Sequence, residues 1–421
     1  MNSIKDYLRA DIHNYRGSVE EPFKDLAHLF SRFQDARSTQ GGAALVVYFQ
    51  GHKVVDIYTG QKSADEAWQP DSLSVCYSTG KGVLATLAHI LVSQGRLDYD
   101  VPVAEYWPEF AAQGKQQLTL RNMLCHRSGL YDIRNLIADA SEMADWSHML
   151  EVIAAAKPRF PPNSDAAYQP LTFGWQVGGV LEKACNESLA VLMQRHLSEP
   201  LELNGAYFGV PVEQLARVAR PFATSQLAQS AQPPKKQAAA KPTRTASPLE
   251  KLLAFSGQHP QDFQDAMIPK GMKKFSFFSD AGLQAIVPAA SGVFTAQSLA
   301  KIYAMLAQGG QSQGQRLISP QVFQALSQVQ YTARDRVMPL PMHWRLGYHR
   351  ILSLGKSASS GFGHIGFNGS GAWCDPERNL SFAYTHNFPT GSITGDYRLW
   401  GLTQETLRCA DGVLKGRKGW F

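Results

Sequence analysis

Strand-forming sequence lies towards the two ends of this chain and is missing from the stretch between, which limits the architectures open to it. Near the start, Gly42 to Phe49 and Val54 to Tyr58 are β-branched and aromatic runs flanking Gln-Gly-His-Lys, the pattern of an antiparallel hairpin. Strand patterns return at Leu346–Tyr348, Ser370–Cys374 and Leu380–Tyr384. Between about 100 and 200 no alternation appears. Helical spacing is found instead, around Leu118–Met123, Met143–Ala156, Leu171–Ala184 and Leu189–Leu197. A sheet completed by both ends of the chain, with a helical section inserted, satisfies this order. Further helices are expected at Pro22–Phe33, Ser298–Ala307 and from Gly395 to Cys409. The expected parts are 1–97, a helical part over 98–284, and 285–421.

Where the first strand region meets the helical one stands Ser78-Thr79-Gly80-Lys81. Behind it, Val83, Leu84, Leu87, Ile90 and Leu91 form an apolar stripe at helical spacing that stops at Gly95. Serine and lysine three apart share a helix face, roughly 5–6 Å between Cβ atoms. The helix start offers free N–H groups to developing negative charge. A nucleophilic hydroxyl losing its proton to a lysine is chemistry this arrangement permits. A pattern with two fixed positions recurs by chance, so other parts of a site are needed. No Gly-x-Ser-x-Gly elbow surrounds Ser78, which excludes the α/β-hydrolase arrangement.

Two further segments supply those parts. Tyr168-Gln169-Pro170 precedes the helix expected at Leu171–Ala184, and a tyrosine placed against Lys81 could relay the serine proton. Gly361 to Gly371 carries alternating glycines around Phe362, His364 and Ile365, as at a strand bordering a ligand. There the N–H of Phe367, after Gly366, could join that of Ser78 to hold an oxyanion. The histidines show no close-spaced ligand set, so neither a metal nor another cofactor is expected.

Composition removes other classes. The formal charge of +6 is scattered, with small clusters at Lys235-Lys236, Lys241 and Arg244, and at Lys270 and Lys273-Lys274. No nucleic-acid module accompanies them. Five cysteines without a Cys-x-x-Cys pair read as reduced thiols. The acidic N-terminal stretch and the lack of a long apolar run lead to the expectation of a cytoplasmic protein with no integral membrane segment. Residues 225–248, rich in Ala, Gln, Lys, Pro and Ser, are too poor in large apolar side chains to offset ordering and are expected to be flexible. Phe275-Ser-Phe-Phe278 reads as a small core anchor, with substrate contact as the alternative.

Together these segments resemble the serine β-lactamase-like superfamily, which includes class C β-lactamases, D-alanyl-D-alanine carboxypeptidases and bacterial carboxylesterases. Ser78-x-x-Lys81 matches its first motif. Tyr168-Gln169-Pro170 stands at Tyr-x-Asn, and His364-Ile365-Gly366 at Lys-Thr-Gly. Leu124 to Leu130 resembles its Leu-Leu-x-His-x-Ser-Gly-Leu, and the stretches from Ile286 to Gly310 and from Phe367 to Asn387 resemble its later segments. The resemblance covers roughly 40–415 and implies an antiparallel α/β sheet flanked by helices plus an all-helical domain, with the site in the cleft between. It implies catalytic roles for Ser78, Lys81, Tyr168 and His364, and substrate contacts from Gln169, Ile365 and Gly366. The departures point to the substrate. Members that accept carboxylated amides grip the carboxylate with the lysine and hydroxyl of Lys-Thr-Gly. Here histidine and isoleucine stand there, and Pro170 replaces the asparagine. An uncharged small-molecule ester needs fewer donors and has a better leaving group, so the expectation is hydrolysis of short-chain esters through an acyl-enzyme. A β-lactamase or D-amino-acid peptidase is the first alternative, and a non-catalytic scaffold the second. Whether Lys81 or Tyr168 is the base is open at this level, as is the oligomeric state.

Overall fold

A computed structural model describes residues 14–34, 41–222, 260–355, 358–392 and 395–418. The stretch 225–248 and the lysine cluster at 235–244 lie outside the described residues. Thirteen strands are numbered in chain order: β1 Arg16–Val19, β2 Gly42–Phe49, β3 His52–Gly60, β4 Leu73–Val75, β5 Ala206–Phe208, β6 Val218–Ala219, β7 Gly292–Phe294, β8 Gln311–Ser312, β9 Gln315–Arg316, β10 His349–Arg350, β11 Phe362–Ile365, β12 Gly371–Asp375 and β13 Leu380–His386. The main sheet runs β1-β3-β2-β13-β12-β11-β10. Each neighbouring pair in it is antiparallel. It therefore draws on both ends of the chain, as the strand patterns required. A second sheet, β5-β7-β4-β6, lies under the nucleophile turn, and β8–β9 is a small hairpin.

Period-two alternation sorts the sheet's two faces. From β2, Leu45, Val47 and Phe49 join Leu26 and Phe30 of the helix Lys24–Gln34 and Leu402 and Leu407 of the helix Tyr397–Lys418. Ala44 and Val46 face the other way, into the core that contains Leu299, Ile302 and Tyr303 of the helix Ala296–Ala307. That second core is continuous through Leu84 and Leu87 of the helix Thr79–Ser93 to Leu150, Ile153, Val177 and Leu181 of the helical stretch. Burying each such aliphatic side chain contributes roughly 1.5–3 kcal/mol. The helix carrying Lys81 is thus apolar on almost every side, with its first thirteen residues buried.

Three expectations are corrected. The stretch 98–284 is not wholly helical, because β5 and β6 fall inside it and pair with β7 and β4 from outside it. Leu346–Tyr348 is not a strand. Gly347 takes φ +82° and Arg345 N–H donates to Tyr348 O at 2.8 Å, closing a turn, so extended pairing begins at His349. The last helix starts at Tyr397 and runs to Lys418, past the predicted end at Cys409. The first hairpin is tighter than the sequence indicated, with Gln50 and Gly51 both at positive φ between strands that extend to His52. Among the described residues no helix is long and apolar enough to cross a membrane, and all five cysteines are buried and unpaired.

Candidate active site

Ser78 is the N-cap of the helix Thr79–Ser93, and the chain reaches it through Tyr77 at φ +47°. Such a conformation for a tyrosine costs of order 1–3 kcal/mol and persists only when the surroundings hold it. Here Phe277, Phe278 and Phe367 each pack edge-on against the Tyr77 ring, with centroids 6.1, 6.3 and 5.5 Å away. Phe275-Ser-Phe-Phe278 is therefore a clamp on the nucleophile turn, in keeping with the anchoring role expected for it.

Lys81 Nζ donates to Ser78 Oγ at 2.8 Å, to Pro170 O at 2.7 Å and to Ala289 O at 2.7 Å. The side chain is fully buried, and that burial holds its pKa well below the usual lysine value. A neutral amine has two N–H groups and one lone pair. Two carbonyls can take the former, which leaves the lone pair for the serine proton. Tyr168 O–H reaches Ser78 Oγ from another side at 2.8 Å, and Lys81 Nζ lies 5.0 Å from the Tyr168 ring centre. Burial raises the Tyr168 phenol above its ordinary value, with a smaller opposing effect from the Ser78 bond and a small raising one from Asp335. Burial thus favours the neutral form of both groups, the phenol of Tyr168 and the amine of Lys81.

His364 sits on β11, 6.2 Å ring to ring from Tyr168, without a hydrogen bond to it. An Nδ1–H donated to Ile365 O, 3.0 Å away, leaves Nε2 as a buried acceptor with no protein partner among the described residues. The adjacent His349 has the same tautomer, because its Nε2 accepts from Ile365 N–H at 3.0 Å while Nδ1 faces Arg350 O at 2.7 Å. Burial keeps both rings neutral, lowering His349 to about 4 and His364 well below its usual value.

Gly366 brings β11 against the nucleophile turn so closely that a Cβ there would stand 2.2 Å from Cys76 O. Thr79 Oγ1 adds a bond to Ser370 O at 3.2 Å. The N–H groups of Ser78 and Phe367 each stand at the start of a helical turn, where no intrahelical acceptor exists. Neither donates to another backbone acceptor among the described residues.

The cavity at the serine holds about 30 Å³ and is lined by Ser78, Tyr168, His349, His364, Ile365 and Phe367, with Met267, Met338, Met342, Trp344 and Leu352 supplying the apolar wall. Among the described residues, no lysine, arginine or carboxylate lines it. Gln169, expected to contact substrate, is absent from this wall. It is fully buried, its amide nitrogen donating to Ser128 Oγ at 2.6 Å and its oxygen accepting from Gln176 at 3.3 Å. With the asparagine position taken by proline, the amide next to it turned inward. Gly366 serves through its lack of a side chain, and Ile365 does line the cavity.

Asp335 was not foreseen. This buried carboxylate accepts from Tyr168 N at 3.0 Å, Val337 N at 2.8 Å, Met338 N at 2.9 Å and Trp344 Nε1 at 3.1 Å. Burial raises its pKa against those bonds. Trp344 in turn stacks on Tyr168 at 5.6 Å with planes 7° apart, so one carboxylate fixes both rings. A single aspartate in an irregular stretch has no periodicity or spacing to mark it. His126, from the Leu124–Leu130 motif, packs edge-on beneath Tyr168 at 4.9 Å and accepts from Gln169 N at 3.4 Å.

A family model described as Beta-lactamase matches residues 26–404. The esterase/beta-lactamase LipL of Mycobacterium tuberculosis is 35% identical over 378 residues, covering 88% of this chain and 82% of that protein. A family VIII carboxylesterase crystal structure superposes with TM-score 0.79 at 27% identity, covering 94% of this chain and 99% of its own. A penicillin-binding protein homolog from Caulobacter crescentus gives TM-score 0.78 at 28% identity, with the same coverage.

Proposed function

The chain belongs to the beta-lactamase family, and from that premise we propose that it is a serine hydrolase of esterase type, cleaving uncharged, short-chain carboxylic esters through an acyl-enzyme. The observation that carries this reading is the cavity wall. A serine with two proton-handling partners opens onto a space that, among the described residues, has no cation in its wall to receive a substrate carboxylate. Neutral His364 and Ile365 stand where a carboxylate grip would be needed. The relatives named as esterase and carboxylesterase agree with it.

In this mechanism Ser78 Oγ attacks the ester carbonyl while its proton passes to the neutral amine of Lys81. The oxyanion is received by the N–H groups of Ser78 and Phe367. As the tetrahedral centre collapses, the carbon–oxygen bond breaks and Tyr168 delivers a proton to the departing alkoxide. Water then attacks the acyl-enzyme along the reverse proton path and releases the acid. His364 orients substrate through Nε2 and does not act on Tyr168, to which it has no bond. The site joins Ser78 and His364, from the segments that also build the sheets, to Tyr168 from within 98–284. The small cavity favours acetyl and butyryl groups, although three methionines in its wall can shift to admit more.

Steady-state kinetics on p-nitrophenyl acetate, butyrate and octanoate beside a chromogenic cephalosporin test the proposal. The best short ester should exceed the cephalosporin at least about 100-fold in kcat/KM, equivalent to about 2.7 kcal/mol of transition-state discrimination. Equal or better turnover of the cephalosporin would overturn the assignment in favour of a β-lactamase.

A further inference from the structure

Leu352 lines the small cavity at the serine and also a second, larger hollow of about 490 Å³. The second wall differs in kind. It carries His343, Arg345 and Arg350, and among the described residues no aspartate or glutamate lines it. Arg345 is 3% exposed, donating Nε to Ser327 O at 2.8 Å and Nη2 to Ser359 O at 2.9 Å. Its Nη1 and the Nε of Arg350 are buried without partners among the described residues. Arginine is almost never buried to this degree without an anion beside it. The same hollow is bordered by Val329, Leu340 and Leu354, which are 41%, 39% and 61% exposed. Large apolar side chains left in water beside unpaired guanidinium groups mark a ligand with an anionic end and an aliphatic body.

We propose that this hollow binds an aliphatic carboxylate, its head between Arg345 and Arg350 and its chain over Val329, Leu340 and Leu354. Arg345 Nη1 and Arg350 Nε, the two nitrogens without a partner among the described residues, suit the two oxygens of a monoanion. A phosphate dianion would bring a second charge, and beyond the two arginines the described wall offers no cation to meet it, only Ser353, Ser359, Trp400 and the ring of His343. That ring is kept neutral by burial and by both arginines. The inference stands on the residues of this hollow and does not require Ser78 to be a nucleophile.

The test is calorimetric titration of the full chain, as purified and in the Ser78→Ala form, with sodium octanoate, acetate, octanol and octyl phosphate. Octanoate should bind once per chain in both forms, with acetate and octanol at least tenfold weaker. Arg350→Gln should weaken octanoate at least tenfold, and Leu354→Asp, at an exposed position that folding does not depend on, should weaken it severalfold. Absence of octanoate binding, equal binding of octanol, or unchanged affinity in both variants would overturn the proposal. So would loss of the octanoate site when a phosphonate caps Ser78 in the unsubstituted protein, since the ligand would then occupy the ester cavity. Tighter binding of octyl phosphate would overturn the carboxylate assignment. None of these readouts is turnover, so a failed esterase reading would leave this result interpretable.

Discussion

Lys81 and Lys115 are both fully buried, and each Nζ has three oxygen partners and lies about one ring-width from an aromatic face. Lys115 donates to Ala112 O at 2.8 Å, Ala154 O at 3.0 Å and Ala156 O at 2.5 Å, with its Nζ 5.1 Å from the Phe110 ring centre. Lys81 has two carbonyls and the hydroxyl of Ser78, with its Nζ 5.0 Å from the Tyr168 ring centre. Burial depresses both, Lys115 to about 8 and Lys81 well below its usual value. The third partner separates them. A carbonyl can only accept, so Lys115 near neutral pH keeps all three protons and ties residues 112–115 to the end of the helix Trp146–Ala155. A hydroxyl can also give its proton away, which is why the proposed mechanism makes the buried amine beside Ser78 the base. Depth of burial does not by itself make a lysine catalytic.

The largest effect that would break this contrast comes from the hydroxyl itself. Ser78→Ala leaves Lys81 with two carbonyls, much like Lys115, and ester turnover should fall by about 10³-fold or more with the fold intact. A residual rate above a tenth of the parent would mean that the Ser78–Lys81 pair is not the engine. Next come the partners. Lys81→Met and Tyr168→Phe should each lower kcat by on the order of 10²-fold with little change in KM, because their proton transfers matter mainly in the transition state. An unchanged kcat in Tyr168→Phe would take the phenol out of the mechanism and leave Lys81 alone.

Lys115→Met sharpens the comparison from the other side. It should leave kcat within about twofold while stranding the buried carbonyls of Ala154 and Ala156, a loss of roughly 1–3 kcal/mol of stability measurable by denaturant titration. A Lys115→Met protein as stable as the parent but catalytically impaired would reverse the roles assigned to the two lysines.

That contrast could not have been read from the sequence. Lys81 was found because a serine stands three residues before it at a helix start, and local spacing of that kind survives in the written chain. The β2–β3 hairpin and the apolar stripe of the helix Thr79–Ser93 were legible for the same reason, since their period is local. Lys115 sits in Gln-Gly-Lys-Gln-Gln, which reads as a solvated turn. Its burial is set by residues about forty positions away. Asp335 escaped notice likewise, as its partners Tyr168 and Trp344 lie on separate segments. Gln169 was misplaced because its neighbours Ser128 and Gln176 meet only in the fold. Long-range polar contacts leave no period behind, and pattern reading sees only periods and spacings.

The smallest effect expected is in the pH dependence, and it bears on which group titrates. If a neutral Lys81 is the base, kcat/KM rises as pH climbs through the lysine's folded pKa and then levels. Burial places that limb well below the usual lysine value of about 10.4. The histidines around the serine cannot produce it. His349 is lowered to about 4, and His126 and His364 well below their usual value, all chiefly by burial, so each titrates on the acid side of an ordinary histidine. His364→Phe removes a neutral ring and should therefore shift the limb by no more than about 0.3 pH unit, even if it raises KM by taking away the Nε2 acceptor. Lys115→Met should leave it equally in place. The measurement is kcat/KM for p-nitrophenyl acetate from pH 4 to 9 in the parent and both variants. A limb near 6.5 that disappears in His364→Phe would identify the histidine as the titrating base, and the buried amine of Lys81 would then be no more than a second Lys115.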